Sequence, residues 1–296
     1  MKRFSKMFEM FIIFVGLVVI LSCSNQVQDF SSDITYDFSS DGEPIDVIIL
    51  AGQSNATGCA DYDQLKDYIT DEDYSLFTKG FSNQKIIGYL HNIYNAEDSE
   101  KISFSKVQFG QGIEETNFGL EIGISYILSK NNKKNIIIKY TAPGASINFF
   151  VVNNKMNFSF ETFLKESLSD IVEMGYSPSI KALCWMQGET DSILKSTAEQ
   201  YEKNMILLLL YDIRNKFGQD ISFIDAQITD WDRVTPNSYQ YLVNNAKIRI
   251  AAVGSNNYIV DSIGLTKKED DVAHYDSVSE FELGKRFGNI ISNICY

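Results

Sequence analysis

Five short runs of β-branched and apolar residues, at 45–50, 135–140, 180–186, 221–226 and 257–260, alternate with stretches whose apolar residues recur at helical spacing. The helical stretches span 118–129, 160–174, 197–217, 238–253 and 280–294. Each run is too short and too continuously apolar for a half-exposed strand, so it reads as a strand buried on both faces. Strand and helix in strict alternation predict an α/β fold: a three-layer α/β/α sandwich around a central, mainly parallel, five-stranded sheet with right-handed crossovers. One domain over residues 44–296 accommodates all of these elements. The segment 59–111 breaks the rhythm, being acidic and tyrosine-rich, and reads as an insertion or lid with a short strand at 85–89.

Function in an open parallel sheet concentrates where strands end. Four such places carry polar residues: Gly52-Gln53-Ser54-Asn55, Thr141-Ala142-Pro143-Gly144, Gln187-Gly188-Glu189-Thr190-Asp191, and Glu269 to Tyr275, which includes Asp271 and His274. A serine hydroxyl needs a neighbouring base to become a nucleophile, and an imidazole, with an unperturbed pKa of about 6.5, suits neutral pH. The chain has only His91 and His274. His274 has a carboxylate three residues earlier, Asp271, able to take the Nδ1 hydrogen and leave Nε2 toward Ser54. Ser54 is therefore the expected nucleophile, His274 the base and then acid, and Asp271 the orienting carboxylate, with His274 Nε2 within hydrogen-bonding reach of the Ser54 hydroxyl. Glu269 and Asp270 remain competing orienters. The Ser54 N–H, where strand meets helix, is a candidate oxyanion donor.

Gly-Gln-Ser-Asn after an apolar strand, Trp185-Met-Gln-Gly-Glu-Thr-Asp191, and Asp271-x-x-His274 before a last helix with Leu283-Gly284-Lys-Arg286 together resemble the sialate O-acetylesterase domain. That domain groups with acetylxylan esterases of carbohydrate esterase family six in the SGNH hydrolase superfamily, whose fold is flavodoxin-like. The resemblance implies a carboxylic ester hydrolase that removes acetyl groups from sialic acid or from acetylated xylan or oligosaccharide. It implies further oxyanion donors at the Gly119 N–H and the Gln187 side-chain amide, and no metal or organic cofactor. Gln53, Asn55 and Glu189 are expected to support the site or touch substrate. Ala142-Pro143-Gly144-Ala145-Ser146 departs from the paired glycines that the family shows more often. His91 reads as solvated or in contact with substrate, and Cys59 as a packed small apolar group. The same pattern also admits a catalytically silent glycan-binding protein, or an esterase for other acyl groups or for peptidoglycan O-acetyl groups.

Lys2, Arg3 and Lys6 precede an apolar run at 10–21 that is too short to span a bilayer comfortably, the form of a signal peptide. It ends in Ile20-Leu21-Ser22-Cys23, which resembles a bacterial lipobox, so 1–22 is expected to be a lipoprotein signal peptide and Cys23 the lipidated N-terminus. A leader that merely contains a cysteine, or an uncleaved anchor, fits the same residues. The polar stretch 23–43 reads as a tether, placing an exported chain on a bacterial membrane, periplasmic or cell-surface side. The formal charge is −13, and loss of 1–22 removes three basic residues and one acidic one, which makes the chain more acidic still. Nucleic-acid phosphates are thereby excluded as partners. Four cysteines, at 23, 59, 184 and 295, include no C-x-x-C pair and no disulfide framework. The oligomeric state is not encoded legibly.

Overall fold

The computed structural model of the chain describes residues 35–151, 159–229, 238–269, 271 and 273–296. These form one compact unit. The expected signal peptide and Cys23 lie outside the described residues. Among the described residues no helix is long and apolar enough to cross a membrane.

Nine strands are described: β1 Glu43–Gly52, β2 Ala60–Asp61, β3 Gln84–Leu90, β4 Glu100–Lys106, β5 Asn117–Phe118, β6 Asn135–Thr141, β7 Tyr176–Met186, β8 Ser222–Ala226 and β9 Asn257–Val260. Seven make the central sheet, in the order β4-β3-β6-β1-β7-β8-β9. All neighbours pair in parallel except β4, which runs antiparallel to β3 at one edge. The sheet therefore has seven strands rather than the five expected. The two extra strands arise within 59–111, where β3 hides its backbone against β6 while its side chains alternate buried and half-buried. β3 covers the short strand expected at 85–89, placed in the sheet rather than apart from it, while β4, an exposed edge strand, had no apolar signature.

The principal helices are α1 Ser54–Thr57, α2 Asp71–Lys79, α3 Leu120–Lys130, α4 Phe160–Glu173, α5 Lys195–Asn204, α6 Gln240–Ala252 and α7 Ser277–Cys295. The stretch expected as one helix over 197–217 is α5, a π-helical turn at Met205–Leu210, and a further helix at Tyr211–Phe217. The layering follows from two consecutive residues of β6, whose side chains must point to opposite faces. Tyr140 packs against Phe160 and Phe163 of α4, with ring centroids 5.2 and 5.5 Å away. Lys139 points the other way, to Glu121 of α3. α3 packs on α7 on that face, and α5 and α6 pack together beyond β7. The α3–α7 contact is close because Gly284 lacks a side chain: a Cβ there would sit 2.5 Å from the Leu120 carbonyl oxygen.

Lys139 is wholly buried in an otherwise apolar strand. Its ammonium has three hydrogens and three acceptors: Thr57 O at 2.7 Å, Gln111 O at 2.7 Å and Glu121 Oε2 at 2.8 Å. This single side chain ties the end of α1 to the segment before β5 and to the first turn of α3. Leaving such a charge without its partner costs about 3–5 kcal/mol.

The segment before β1 differs from a free tether at its described end. Tyr36 donates to Glu161 Oε1 at 2.7 Å, and its ring lies 5.2 Å from that of Phe217. Phe38 stacks on Phe217 as well, at 6.4 Å. Two aromatics at alternate positions of an extended chain face the same side, which allows both to dock.

Candidate active site

β1 ends level with both of its neighbours: Gly52 pairs with Thr141 of β6 and with Met186 of β7. The loops at 53–55, 142–146 and 187–191 are therefore brought together at the carboxyl edge of the sheet, as expected. Gly52 has φ +148°, and a Cβ on it would lie 1.9 Å from the Met186 carbonyl oxygen. Only glycine permits the chain to turn there, and the turn delivers Ser54 as the first residue of α1.

Gln53 donates its N–H to Met186 O at 3.0 Å, and its side-chain Oε1 accepts from the N–H groups of Gly188 and Thr190 at 3.4 Å each. The loops at 142–147 and 187–191 are locked in turn. Thr190 Oγ1 donates to Gly144 O at 3.0 Å, and the Ile147 N–H donates to Asp191 Oδ2 at 2.9 Å. The Ala142 to Ser146 loop, without paired glycines, is held through side chains of its neighbour.

His274 lies on a tight loop closed by a bridge between Lys267 and Tyr275 and by the Lys268 N–H donating to His274 O at 3.1 Å. Asp276, two residues on, caps α7 by accepting the Ser279 N–H at 2.8 Å. Asp271 Oδ2 meets His274 Nδ1 at 2.5 Å. Of the competing carboxylates, Glu269 makes no hydrogen bond to the ring, and Asp270 lies outside the described residues.

Asn55 joins the three sequence blocks. Its Nδ2 donates to Glu189 Oε1 at 2.7 Å and to Ala273 O at 3.5 Å, while its Oδ1 accepts the Tyr275 N–H at 3.4 Å. The residues on both sides of His274 are thus fastened to the residue following Ser54. Even so, no hydrogen bond reaches the Ser54 hydroxyl or His274 Nε2 among the described residues, so the expected Ser54–His274 bond is open. Such bonds are often long without substrate and tighten when it binds.

Two of the expected oxyanion donors hydrogen-bond protein groups in this structure. The Gly119 N–H donates to Glu121 Oε1 at 2.8 Å, and Lys139 holds that carboxylate in place. Gln187 is fully buried, and its Nε2 donates to Ala145 O at 3.1 Å and to Asp191 Oδ2 at 2.5 Å. Both amide hydrogens are spent on loop structure. Buried anionic acceptors outcompete a site that holds no charge until reaction. The Ser54 N–H, by contrast, has no partner among the described residues.

Burial pushes the Asp191 carboxyl up to about 6, against the hydrogen bonds it accepts from Gln187 and Ile147. Burial likewise pushes the Cys59 thiol up to about 12, so it stays protonated, its S–H donating to the Ser54 backbone O at 3.6 Å. That leaves it inert as a nucleophile. Cys59, Cys184 and Cys295 are all free. His91 is 3% exposed rather than solvated. Lys139 and Glu121 escaped the sequence reading as contributors; the one signal was a lone lysine inside the apolar strand Asn-Ile-Ile-Ile-Lys-Tyr-Thr.

The fold recurs in solved structures of low identity. A protein from Arabidopsis thaliana aligns with TM-score 0.64 and 20% identity over 85% of this chain and 100% of its own. NanS aligns with TM-score 0.56 and 14% identity, covering 85% and 98% respectively. A carbohydrate acetylesterase from Xanthomonas citri aligns with TM-score 0.56 and 13% identity, covering 85% of this chain and 56% of that one. Among curated proteins, none matches the chain in sequence. The family model described as carbohydrate esterase, sialic acid-specific acetylesterase, matches residues 44–293. Spanning nearly all of the sheet and its helices, that match makes the chain a member of this carbohydrate esterase family, with the seven-stranded α/β fold that carries it.

Proposed function

We propose that the chain removes O-acetyl groups from carbohydrates by a Ser54-His274-Asp271 mechanism. The observation that carries this reading is the Asp271–His274 hydrogen bond at 2.5 Å, on a loop that Asn55 fastens beside Ser54. Asp271 offers only acceptors, so Nδ1 carries the ring hydrogen and Nε2 is left to take a proton. Ser54 Oγ attacks the acetyl carbonyl as its proton passes to His274 Nε2. The Ser54 N–H donates to the oxyanion, and collapse of the tetrahedral intermediate expels the sugar hydroxyl, which takes the proton from His274. Water, deprotonated by the same ring, then attacks the acyl-serine, releasing acetate and restoring Ser54.

The test is acetate release from p-nitrophenyl acetate and an acetylated oligosaccharide. Ser54→Ala is expected to lower kcat by on the order of 10⁴–10⁶-fold. Turnover unchanged in Ser54→Ala sinks the serine mechanism, whereas no acetate release by the wild type, with glycan binding intact in Ser54→Ala, leaves a glycan-binding protein as the reading. A profile favouring longer acyl chains redirects it to another ester class.

We further propose that Cys23 is lipidated and anchors the exported chain to a bacterial membrane. Two acyl chains suffice for stable attachment without a spanning helix. Metabolic labelling with a fatty-acid analogue is expected to mark the wild type and not Cys23→Ala; label retained in the variant refutes the anchor.

A further inference from the structure

The insertion at 59–111 opens with β2, and its first half is tied into the molecule by rings. Phe77 of α2 is wholly buried. Its ring lies 5.5 Å from Phe109, 5.6 Å from Tyr126 of α3 and 5.4 Å from Phe281 of α7. Tyr62 stacks on Phe109 at 5.1 Å, and Tyr74, whose hydroxyl donates to Asp63 Oδ1 at 2.8 Å, lies 5.6 Å from the same ring. A lid that opens and closes is drawn from loosely packed chain, whereas rings interlocked with two core helices cannot leave their seat without exposing the core. The stretch from β2 through α2 is therefore a fixed block rather than a moving cover.

Asp61 is where this block meets the His274 loop. Its carbonyl oxygen accepts the Ser277 hydroxyl at 2.8 Å, its Oδ2 meets Lys268 Nζ at 3.4 Å, and its Oδ1 accepts from Asn117 Nδ2 at 2.9 Å. Asn117 is also its partner across the β2–β5 pair, so Asp61 is itself held from behind. Lys268 is the residue whose N–H donates to His274 O at 3.1 Å. One ion pair and one backbone hydrogen bond thus lead from Asp61 to the residue that carries the catalytic ring. Elsewhere the block and the loop part: a polar cleft of about 1,010 Å³ is lined by Gln64, Asp67 and Tyr68 on one side and by Thr266, Glu269 and Val278 on the other. A loop edged by open space of that size is free to swing unless something crosses to hold it. Lys268 and Ser277, in the same lining, are the groups that cross to Asp61.

Resting on the Ser54-His274-Asp271 reading above, we infer that Asp61 is a positioning residue: through Lys268 and Ser277 it holds the His274 loop against the insertion, which serves as the buttress of that loop. Asn55 fastens the backbone next to His274 from α1, and Asp61 supplies a second support from outside the sheet. Two supports matter because misplacing a catalytic group by about 1 Å can cost on the order of 10²-fold in rate.

The test measures p-nitrophenyl acetate hydrolysis by the full chain, per folded molecule. Asp61→Ala is expected to lower kcat at least tenfold with KM within twofold, since it acts on the chemical step through His274. Lys268→Met is expected to lose about as much, and Asp61→Ala/Lys268→Met no more than the larger single loss, because both act through one contact. Asp61→Asn, which keeps an acceptor for Lys268, is expected to lose less than threefold. An unchanged kcat in Asp61→Ala, with any loss confined to the urea midpoint, overturns the proposal, as does a double variant whose losses multiply. Hydrogen exchange separates the buttress from the esterase reading. In Ser54→Ala, peptides covering Lys268 and His274 are expected to exchange at least tenfold faster once Asp61→Ala is added, while β6 keeps its protection. Faster exchange there, in a chain whose wild type releases no acetate, defeats the catalytic mechanism alone; unchanged exchange defeats the buttress.

Discussion

Asp271 binds His274 Nδ1 through Oδ2 at 2.5 Å while its Oδ1 accepts the Ala273 N–H at 3.2 Å, so both oxygens are committed to holding one ring. Burial pushes this carboxyl up, but the hydrogen bond and charge of His274, with the Ala273 N–H, pull it below the usual carboxylate range. It therefore stays ionised at every pH where an imidazole can act as base. Asp271→Asn keeps the shape and donates where an acceptor is needed, which favours the wrong tautomer. Steady-state assay of acetate release is expected to show kcat lower by about 10⁴-fold, with the urea midpoint nearly unchanged because the pair is partly exposed.

Asn55 is the residue on which the three loops converge, and its loss should be felt in two readouts at once. Asn55→Ala deprives the buried Glu189 of its 2.7 Å donor and frees the backbone on both sides of His274. Equilibrium unfolding in urea is expected to register a loss of about 1–3 kcal/mol. Activity is expected to fall as well, and a wild-type kcat/KM in this variant would mean that the fastening is unimportant for His274.

Gln187 separates two roles by stability. Because both of its amide hydrogens go to Ala145 O and Asp191 Oδ2, Gln187→Ala should cost about 1–3 kcal/mol of stability through the acceptors it abandons. Its kcat, measured on the folded fraction, should stay within tenfold of wild type. Loss of an oxyanion donor would instead lower kcat by about 10²–10³-fold with little change in unfolding.

Asp191 and Asp225 supply a pH signature. Each is pushed by burial up to about 6, from an ordinary value near 4 that the unfolded chain retains. Between about pH 4 and 6 the folded chain holds protons that the unfolded chain has released, so these two groups make stability fall as pH rises through that window. Asp191→Asn removes one of them, and urea midpoints taken from pH 4 to 7 should show a shallower decline than wild type. An unaltered slope would show that Asp191 does not titrate there.

Lys139→Met is expected to unfold at a denaturant midpoint corresponding to a loss of about 3–5 kcal/mol, since it strands the buried Glu121 carboxylate. The double variant Lys139→Met/Glu121→Gln should recover part of that loss. No recovery in the double variant would show that the cost lies in packing rather than in the stranded charge.

Much of this architecture is legible in one dimension because buried parallel strands are written as continuous apolar runs. The runs at 45–50, 135–140 and 180–186 all lie inside observed strands, and their ends carry Ser54, Thr141 and Gln187. The pairing of Asp271 with His274 was legible too, being three residues long. What was not legible depends on partners far apart in sequence. That Glu121 and Asp191 take hydrogen bonds from Gly119 and Gln187 is one such case, since no local pattern announces that competition. β4 was missed for a related reason: an exposed edge strand with charged residues has no apolar signature.

That edge strand has a consequence for the chain in company. Glu100, Lys101 and Lys106 stand exposed along β4, the last antiparallel strand of the sheet. A second molecule seeking to extend the sheet there would have to strip water from all three charges in register. Crowded copies are thus kept from joining their sheets through this edge.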